Sequence, residues 1–400
     1  MGASFVGRRM ERSAGFSRAR IVRGLWPASL LLLLAACDSK AELSPADQAW
    51  LDRAAGFLVQ APDPDPTNRF EGNEEAARFG MRLFADKGLS GDGQHACTTC
   101  HLPGHAFSDP RSQSHGMGRV TRHAPTLLDV TGGHWFGWGG KADSLWSQAL
   151  GPLEHPAEMG GDRLAIAHHL AAEPELAGKY EALFGPLPDL QDVARFPAHG
   201  LPASLDPGQG RAEASAAWQA MAAADQTAVN RVFSNVGKAL AAYESRLRTG
   251  PSPFDRRILA LQAGDTNPVE GWSHAAERGF DLFVGAARCV VCHSGPRFSD
   301  GEFHNTGAPP LHGGEPKDPG RYRDGPLLQA SPFRASGEFS DERTGQRAQR
   351  TDRLKTGSEQ WGEFKTPSLR NLVGREPFMH QGQFASLDEV IAFYDTLENS

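Results

Sequence analysis

Apolar residues along this chain recur mainly at helical spacing. The clearest run lies between Ala212 and Arg248, where Val229, Val232, Phe233, Val236, Leu240 and Tyr243 form the stripe of one or two amphipathic helices. Residues 44–60, SPADQAWLDRAAGFLVQ, read as a helix started by Ser44 or Asp47. Similar patterns cover 73–85, 144–150, 162–172, 268–283 and 387–397. No β-pattern of note interrupts them, so the fold class is mainly α. Thr249-Gly250-Pro251-Ser252-Pro253 breaks the long stripe and places a hinge near 250–266. The stretches 103–140, 185–211 and 306–360 are rich in Gly, Pro or charge without periodicity. They read as loops, the last as a loop or an insertion.

A chain of 400 residues exceeds one small core. The hinge divides it into an N-terminal domain over 44–255 and a C-terminal domain over 266–400. Residues 1–37 read as a leader. Six Arg precede an apolar run from Leu25 to Ala36, which is too short to span a membrane as a mature helix. The run ends in Leu34-Ala35-Ala36-Cys37, similar to a bacterial lipobox, in which the Cys becomes the lipidated first residue. Ordinary secretory cleavage nearby is the alternative. Either way the mature protein is expected in the periplasm, touching the membrane only through a lipid on Cys37. Removing the leader's six Arg and one Glu takes the formal charge from −7 to about −12. That excludes nucleic acid as a natural partner and favours a positively charged small protein.

Beyond Cys37 the cysteines are Cys97, Cys100, Cys289 and Cys292. They fall in CTTCH at 97–101 and CVVCH at 289–293. Two Cys three residues apart reach the two vinyl groups of one haem, and the following His offers its imidazole to the iron. A zinc site would draw both pairs together from opposite ends of the chain, and a thiol redox pair does not need the His. The pattern therefore points to two haem c groups, with His101 and His293 as iron ligands. The surroundings repeat as well. Gly80-Met81-Arg82-Leu83-Phe84 answers to Gly279-Phe280-Asp281-Leu282-Phe283, and Phe107-Ser108-Asp109 to Phe298-Ser299-Asp300. Ala124-Pro125-Thr126-Leu127 answers to Thr366-Pro367-Ser368-Leu369. A shared order of this kind indicates duplication of one cytochrome c-like unit.

Further motifs carry a resemblance. They are Gln148-Ala149-Leu150-Gly151-Pro152-Leu153, Pro156-Ala157-Glu158-Met159-Gly160, Phe364-Lys365-Thr366-Pro367-Ser368-Leu369-Arg370-Asn371, Pro377-Phe378-Met379-His380 and Leu387-Asp388-Glu389-Val390. With the two CxxCH motifs, the chain resembles the bacterial di-haem cytochrome c peroxidase and MauG family. The resemblance implies that the first haem reacts with hydrogen peroxide, and that the second takes electrons from a small donor, a cytochrome c or a cupredoxin. It implies that Gln148 and Glu158 are the polar pair above the reactive iron, with Pro152 packed between them. Trp138 would stand between the haems, and Tyr394 would be the sixth ligand of the second iron. Met379 and His380 are rival ligands. His115 stands near the place of a residue that caps the first iron in the peroxidases. The family also implies calcium between the domains and admits a homodimer.

From spacing alone, Glu158 reads as a helix-start carboxylate and Gln148 as a solvated helix face; the resemblance reverses both readings. Trp138 and Tyr394 are equally core residues. Where the family has Trp-Asp-Gly-Arg, this chain has Trp138-Gly139-Gly140-Lys141, and His123 stands in place of an Asn calcium ligand. Calcium prefers oxygen. The chain ends six residues after Tyr394, short of the closing helix the family implies. Three functions compete. One is peroxide reduction. Another is a MauG-like oxidation of a protein or other substrate through high-valent haem. The third is electron carriage or redox sensing without catalysis.

Overall fold

The computed structural model describes residues 42–203 and 211–396. The leader and Cys37 lie outside the described residues. Among them no helix is long and apolar enough to cross a membrane. The chain folds into α1 (Pro45–Ala54), α2 (Glu74–Phe84), α3 (Leu145–Glu154), α4 (Arg163–Ala172), α5 (Pro174–Phe184), α6 (Ala212–Ala220), α7 (Ala223–Glu244), α8 (Pro253–Gln262), α9 (His274–Val284), α10 (Arg321–Ala330), α11 (Gln346–Asp352) and α12 (Leu387–Thr396). Two short strands, β1 (Phe303–His304) and β2 (Phe364–Lys365), pair antiparallel with Phe303 opposite Lys365.

The first core forms where α2 and α3 pack on α7, as the apolar stripe of α7 requires. Val229, Val232, Phe233, Val236 and Leu240 are all buried there, with Phe79 and Leu83 of α2 and Trp146 of α3. Asn73 starts α2 by accepting the amide of Ala76 at 2.9 Å. The helices come very close at Gly80: a Cβ there would lie 1.9 Å from the carbonyl oxygen of Ala239. Any side chain at this point would push α2 off α7. Trp146 is fully buried and donates its indole N–H to Thr67 Oγ1 at 2.9 Å. Burial of such a ring contributes about 3 kcal/mol.

The second core does not follow chain order. Trp50, Leu51 and Phe57, at the start of the chain, pack with Ile258 and Leu261 of α8 and Phe280 of α9. The Trp50 and Phe280 ring centroids are 5.6 Å apart. The first core in turn takes Phe333 and Phe339 from the C-terminal half. The halves expected at 44–255 and 266–400 thus exchange material at both ends.

Two expectations about local structure need correction. The hinge near 250–266 contains a helix, α8. Ser252 accepts the amide of Asp255 at 3.2 Å while Asp255 accepts that of Ser252 at 3.0 Å, and Pro253 suits the first helical position. The Pro-rich stretch that breaks α7 therefore also starts α8. The stretch 306–360 likewise holds α10 and α11. Their buried residues include Arg321, Asp324 and Thr351, which leave no apolar stripe in the sequence. Asp324 is buried because Arg122 reaches it at 2.5 Å and Asp318 at 2.7 Å. Pairing removes the penalty that usually keeps charges outside.

Candidate active site

Each CxxCH motif opens as a single 3₁₀ turn, Cys97–Thr99 and Cys289–Val291. The chain then loops back so that a carbonyl meets the His ring. His101 Nδ1 lies 2.9 Å from the Phe107 carbonyl, and His293 Nδ1 lies 2.9 Å from that of Phe298. Both Phe residues adopt left-handed backbone, which turns their carbonyls inward. Nδ1–H donates to each carbonyl, which leaves Nε2 free to bind a metal. Burial lowers both imidazoles from their ordinary value and keeps them neutral, the form a metal requires.

The four Cys are free thiols. Burial pushes Cys100 up to about 11 and also raises Cys97 and Cys292. A thiol redox pair needs the opposite shift, so the thiols fit covalent attachment better than thiolate chemistry.

The duplication extends further than the short motifs. From Ala124 to Pro152 and from Thr366 to Tyr394 the halves run in one register, shifted by 242 residues. Left-handed backbone recurs at Asp129 and Asn371, Gly132 and Gly374, Gly137 and Met379, and Gly140 and Gly382. The bridge between Phe136 and Ala142 recurs between Phe378 and Phe384. Asn371 Nδ2 donates to Asp129 Oδ2 at 2.8 Å, so counterparts touch directly. In this register α3 answers to α12, Trp138 to His380, Gln148 to Val390, and Pro152 to Tyr394.

In the first half, Gln148 and Pro152 lie one turn apart on α3. Pro152 has no amide proton, so the Gln148 carbonyl loses its usual helical partner. The Pro152 carbonyl accepts the amide of Met159 at 3.2 Å and ties α3 to the turn that carries Glu158. A loop that follows the first CxxCH motif covers this turn. The amide of Met117 donates to the Glu158 carbonyl at 2.9 Å, and a Cβ on Gly116 would lie 2.2 Å from that oxygen. His115, on the same loop, is exposed. Burial raises the Glu158 carboxyl above its usual range, against the pull of Lys141. Its charge in turn raises both Cys97 and Cys100, which places the carboxyl beside the first attachment turn.

Sequence reasoning missed two partners here. His155 Nδ1 stands 3.5 Å from Glu158 Oε1. Glu244, at the end of α7, is the largest electrostatic influence on Cys97; burial pushes its own carboxyl up to about 8. A carboxylate closing an apolar stripe was the one available signal.

In the second half, a cavity of ≈470 Å³ is lined by Cys289, Cys292, His293, Tyr394, Met379 and His380. Tyr394 reaches it from α12, and burial raises its phenol above the usual range. His380 stacks on Phe364, with centroids 3.7 Å apart. Burial lowers it to about 4. Arg297, Lys365 and Arg375 also line the cavity. None forms an ion pair among the described residues. Burial, aided by Arg297 and Arg375, lowers Lys365 to about 8, and burial lowers Arg375 to about 10. With Arg288, four cations that form no ion pair among the described residues line a mainly apolar cleft, which suits a ligand with an apolar body and carboxylate groups, as haem is. The residues fit that group.

Trp138 joins the halves. Its indole N–H donates to the His123 carbonyl at 2.8 Å, and its own carbonyl accepts the amide of Lys365 at 2.7 Å. The surroundings of His123 do not fit calcium. Nε2 lies 3.2 Å from Ser108 Oγ and Nδ1 lies 3.1 Å from the Arg111 carbonyl, while burial and nearby Arg375 lower the imidazole to about 4. Cys292, Asp300 and His304 cluster at metal-ligating distance, but that thiol belongs to the attachment motif.

A model of the family described as di-haem cytochrome c peroxidase matches residues 74–263. The methylamine utilization protein MauG of Methylorubrum extorquens is 30% identical over 322 residues, 80% of this chain and 68% of its own. The cytochrome-c peroxidase IdrP1 of Denitromonas iodatirespirans is 30% identical over 325 residues, covering 79% of this chain and 71% of its own. A crystal structure of a MauG-like protein associated with microbial copper homeostasis superposes with a TM-score of 0.53. It is 25% identical and covers 84% of this chain and 80% of its own.

Proposed function

Because the chain belongs to the di-haem cytochrome c peroxidase family and is an oxidoreductase, we propose that it reduces hydrogen peroxide to water at the first of two haem c sites. Electrons come from a small redox protein in the periplasm and pass through the second site. Bound haem supplies the iron that takes peroxide and the redox equivalents that cleave it. Cys97, Cys100 and His101 hold the first group, and Cys289, Cys292 and His293 the second. Tyr394 is the further ligand of the second iron. A lipid on Cys37 tethers the enzyme.

The single observation that supports this reading is that the Glu158 carboxyl acts electrostatically on both thiols of the first CxxCH turn. Peroxide cleavage needs a group that takes a proton from one oxygen and returns it to the other. With its carboxyl raised above the ordinary value by burial, Glu158 can do both, and its Oε1 stands 3.5 Å from His155 Nδ1. Gln148 cannot titrate; it orients peroxide by hydrogen bonding. Trp138, bonded to both halves, is the bridge for electrons. Arg297, Lys365 and Arg375 hold carboxylates of the second group and fix its orientation.

Glu158→Gln tests the reading. Steady turnover of peroxide with reduced cytochrome c should fall by about 10²-fold or more. Unchanged turnover refutes the proton role. One observation favours a second reading, MauG-like oxidation of another substrate. Tyr394, rather than a Met, occupies the register position of Pro152 and lines the cavity with His293. Rapid spectral change with peroxide in the absence of any donor, with little cytochrome c turnover, would select it.

A further inference from the structure

Trp135 belongs to two cavities. Besides the second haem cleft it lines an open cleft of ≈670 Å³ built by α11 and the segment that follows it, with Arg321 at the start of α10, and the two share no other residue. Nothing in the peroxidase reading uses this second cleft. Arg321 is one of its lining residues. It is 1% exposed, packed over the rings of Phe303 at 4.1 Å and Trp135 at 4.8 Å. Nη1 donates to the carbonyls of Gly139 and Gly140, at 3.1 and 2.8 Å. Nε and Nη2 have no partner. These two nitrogens form one edge of the guanidinium, the edge that grips a carboxylate with two parallel bonds.

The neighbours do not supply that carboxylate. Asp324 is committed to Arg122 and Arg323. Glu302 is the one acid among the wall residues, and it forms no ion pair with Arg321. Gln360 also lines the cleft with a buried Oε1 that has no donor. Arg350, Arg353 and Lys355 add three cations, none in an ion pair among the described residues. Burial lowers Arg321 to about 10, as expected of a cation stripped of water and short of partners. Buried donors and acceptors left open destabilise a fold, so a fold keeps them where something binds.

We propose that this cleft binds a small organic acid that also carries a hydroxyl. The carboxylate accepts from Arg321 Nε and Nη2, and the hydroxyl donates to Gln360 Oε1. Arg350, Arg353 and Lys355 draw the anion in from solvent.

Calorimetric titration of the haem-loaded protein at low ionic strength tests this, with L-malate as probe and succinate as the same diacid without the hydroxyl. Malate should bind, and about fivefold more tightly than succinate. Arg321→Lys keeps the charge but loses the two-pronged edge, and should weaken malate about tenfold or more. Should that variant fail to fold, Arg353→Glu with Lys355→Glu on the exposed rim should weaken malate by a similar factor at low salt. Absence of malate binding overturns the proposal. So does equal binding of malate and succinate, or malate binding that Arg321→Lys and the rim variant both leave unchanged. The readout needs neither peroxide nor a donor, so its failure would leave the peroxidase reading untouched, and the reverse holds too.

Discussion

Replacing Arg370 by Met removes the cation facing a carboxylate that has no exposure at all. Asp255 is 0% exposed. Arg370 meets it with Nη1 at 2.8 Å and Nη2 at 3.1 Å, and also donates to the carbonyls of Phe57 and Pro296. The residue thereby clamps α8, the segment after α1 and the second attachment loop. Breaking a buried pair on one side costs about 3–5 kcal/mol. Asp255 would keep bonds from the Val59 amide at 2.9 Å, the Ser252 amide at 3.0 Å and Ser252 Oγ at 2.6 Å. The loss should therefore sit near the lower end, about 3 kcal/mol. Guanidinium unfolding of the haem-loaded protein, followed by circular dichroism, measures it. Adding Asp255→Asn should recover about half, since a neutral side chain no longer needs the cation. The pH dependence follows from the same pair. Burial alone would raise Asp255, but Arg370 and Ser252 together hold it below its ordinary value. Its contribution is present above the unfolded value near 3.9 and is lost as pH falls through the lowered folded value. Without Arg370, burial prevails and acid unfolding should begin at higher pH. A loss under about 1 kcal/mol with an unchanged acid limb would refute the clamp.

Glu244 makes the opposite case. Its folded value near 8 lies above the unfolded one, so the native state keeps a proton that the unfolded state has released. Stability should fall as pH rises from about 4.3 to 8, and Glu244→Gln should flatten that decline in thermal melts; an unaltered slope would disprove the buried proton. Trp138→Phe keeps an aromatic ring but loses the bond to the His123 carbonyl. It should slow peroxide turnover with a protein donor more than donor-free reaction with peroxide, and equal effects would argue against a relay. The native chain should weigh two haem groups more than its polypeptide, and the variant with Cys289→Ala and Cys292→Ala one. Intact-protein mass spectrometry reads both, and a native mass without two additions would remove the premise of a di-haem enzyme.

The sequence by itself determined whatever is local. Two cysteines and a histidine within five residues set one turn of backbone, so CTTCH and CVVCH announce their chemistry at any tertiary position. The stripe from Val229 to Tyr243 likewise marks α7, because periodicity survives wherever one face is buried against apolar neighbours. Tertiary structure decided what depends on residues far apart. Arg321 and Asp324 are buried through partners 182 and 202 residues away, so α10 left no stripe to read. Trp50 and Phe57 entered the second core rather than the first, which no local pattern encodes. The asymmetry of the two halves is of the same kind. One backbone register, repeated 242 residues apart, sets Pro152 at a position in the first half that Tyr394 takes in the second. Resemblance in sequence already offers Tyr394 as a ligand, but only the packed chain brings it into one cavity with His293 and buries its phenol, because burial and proximity are properties of the whole.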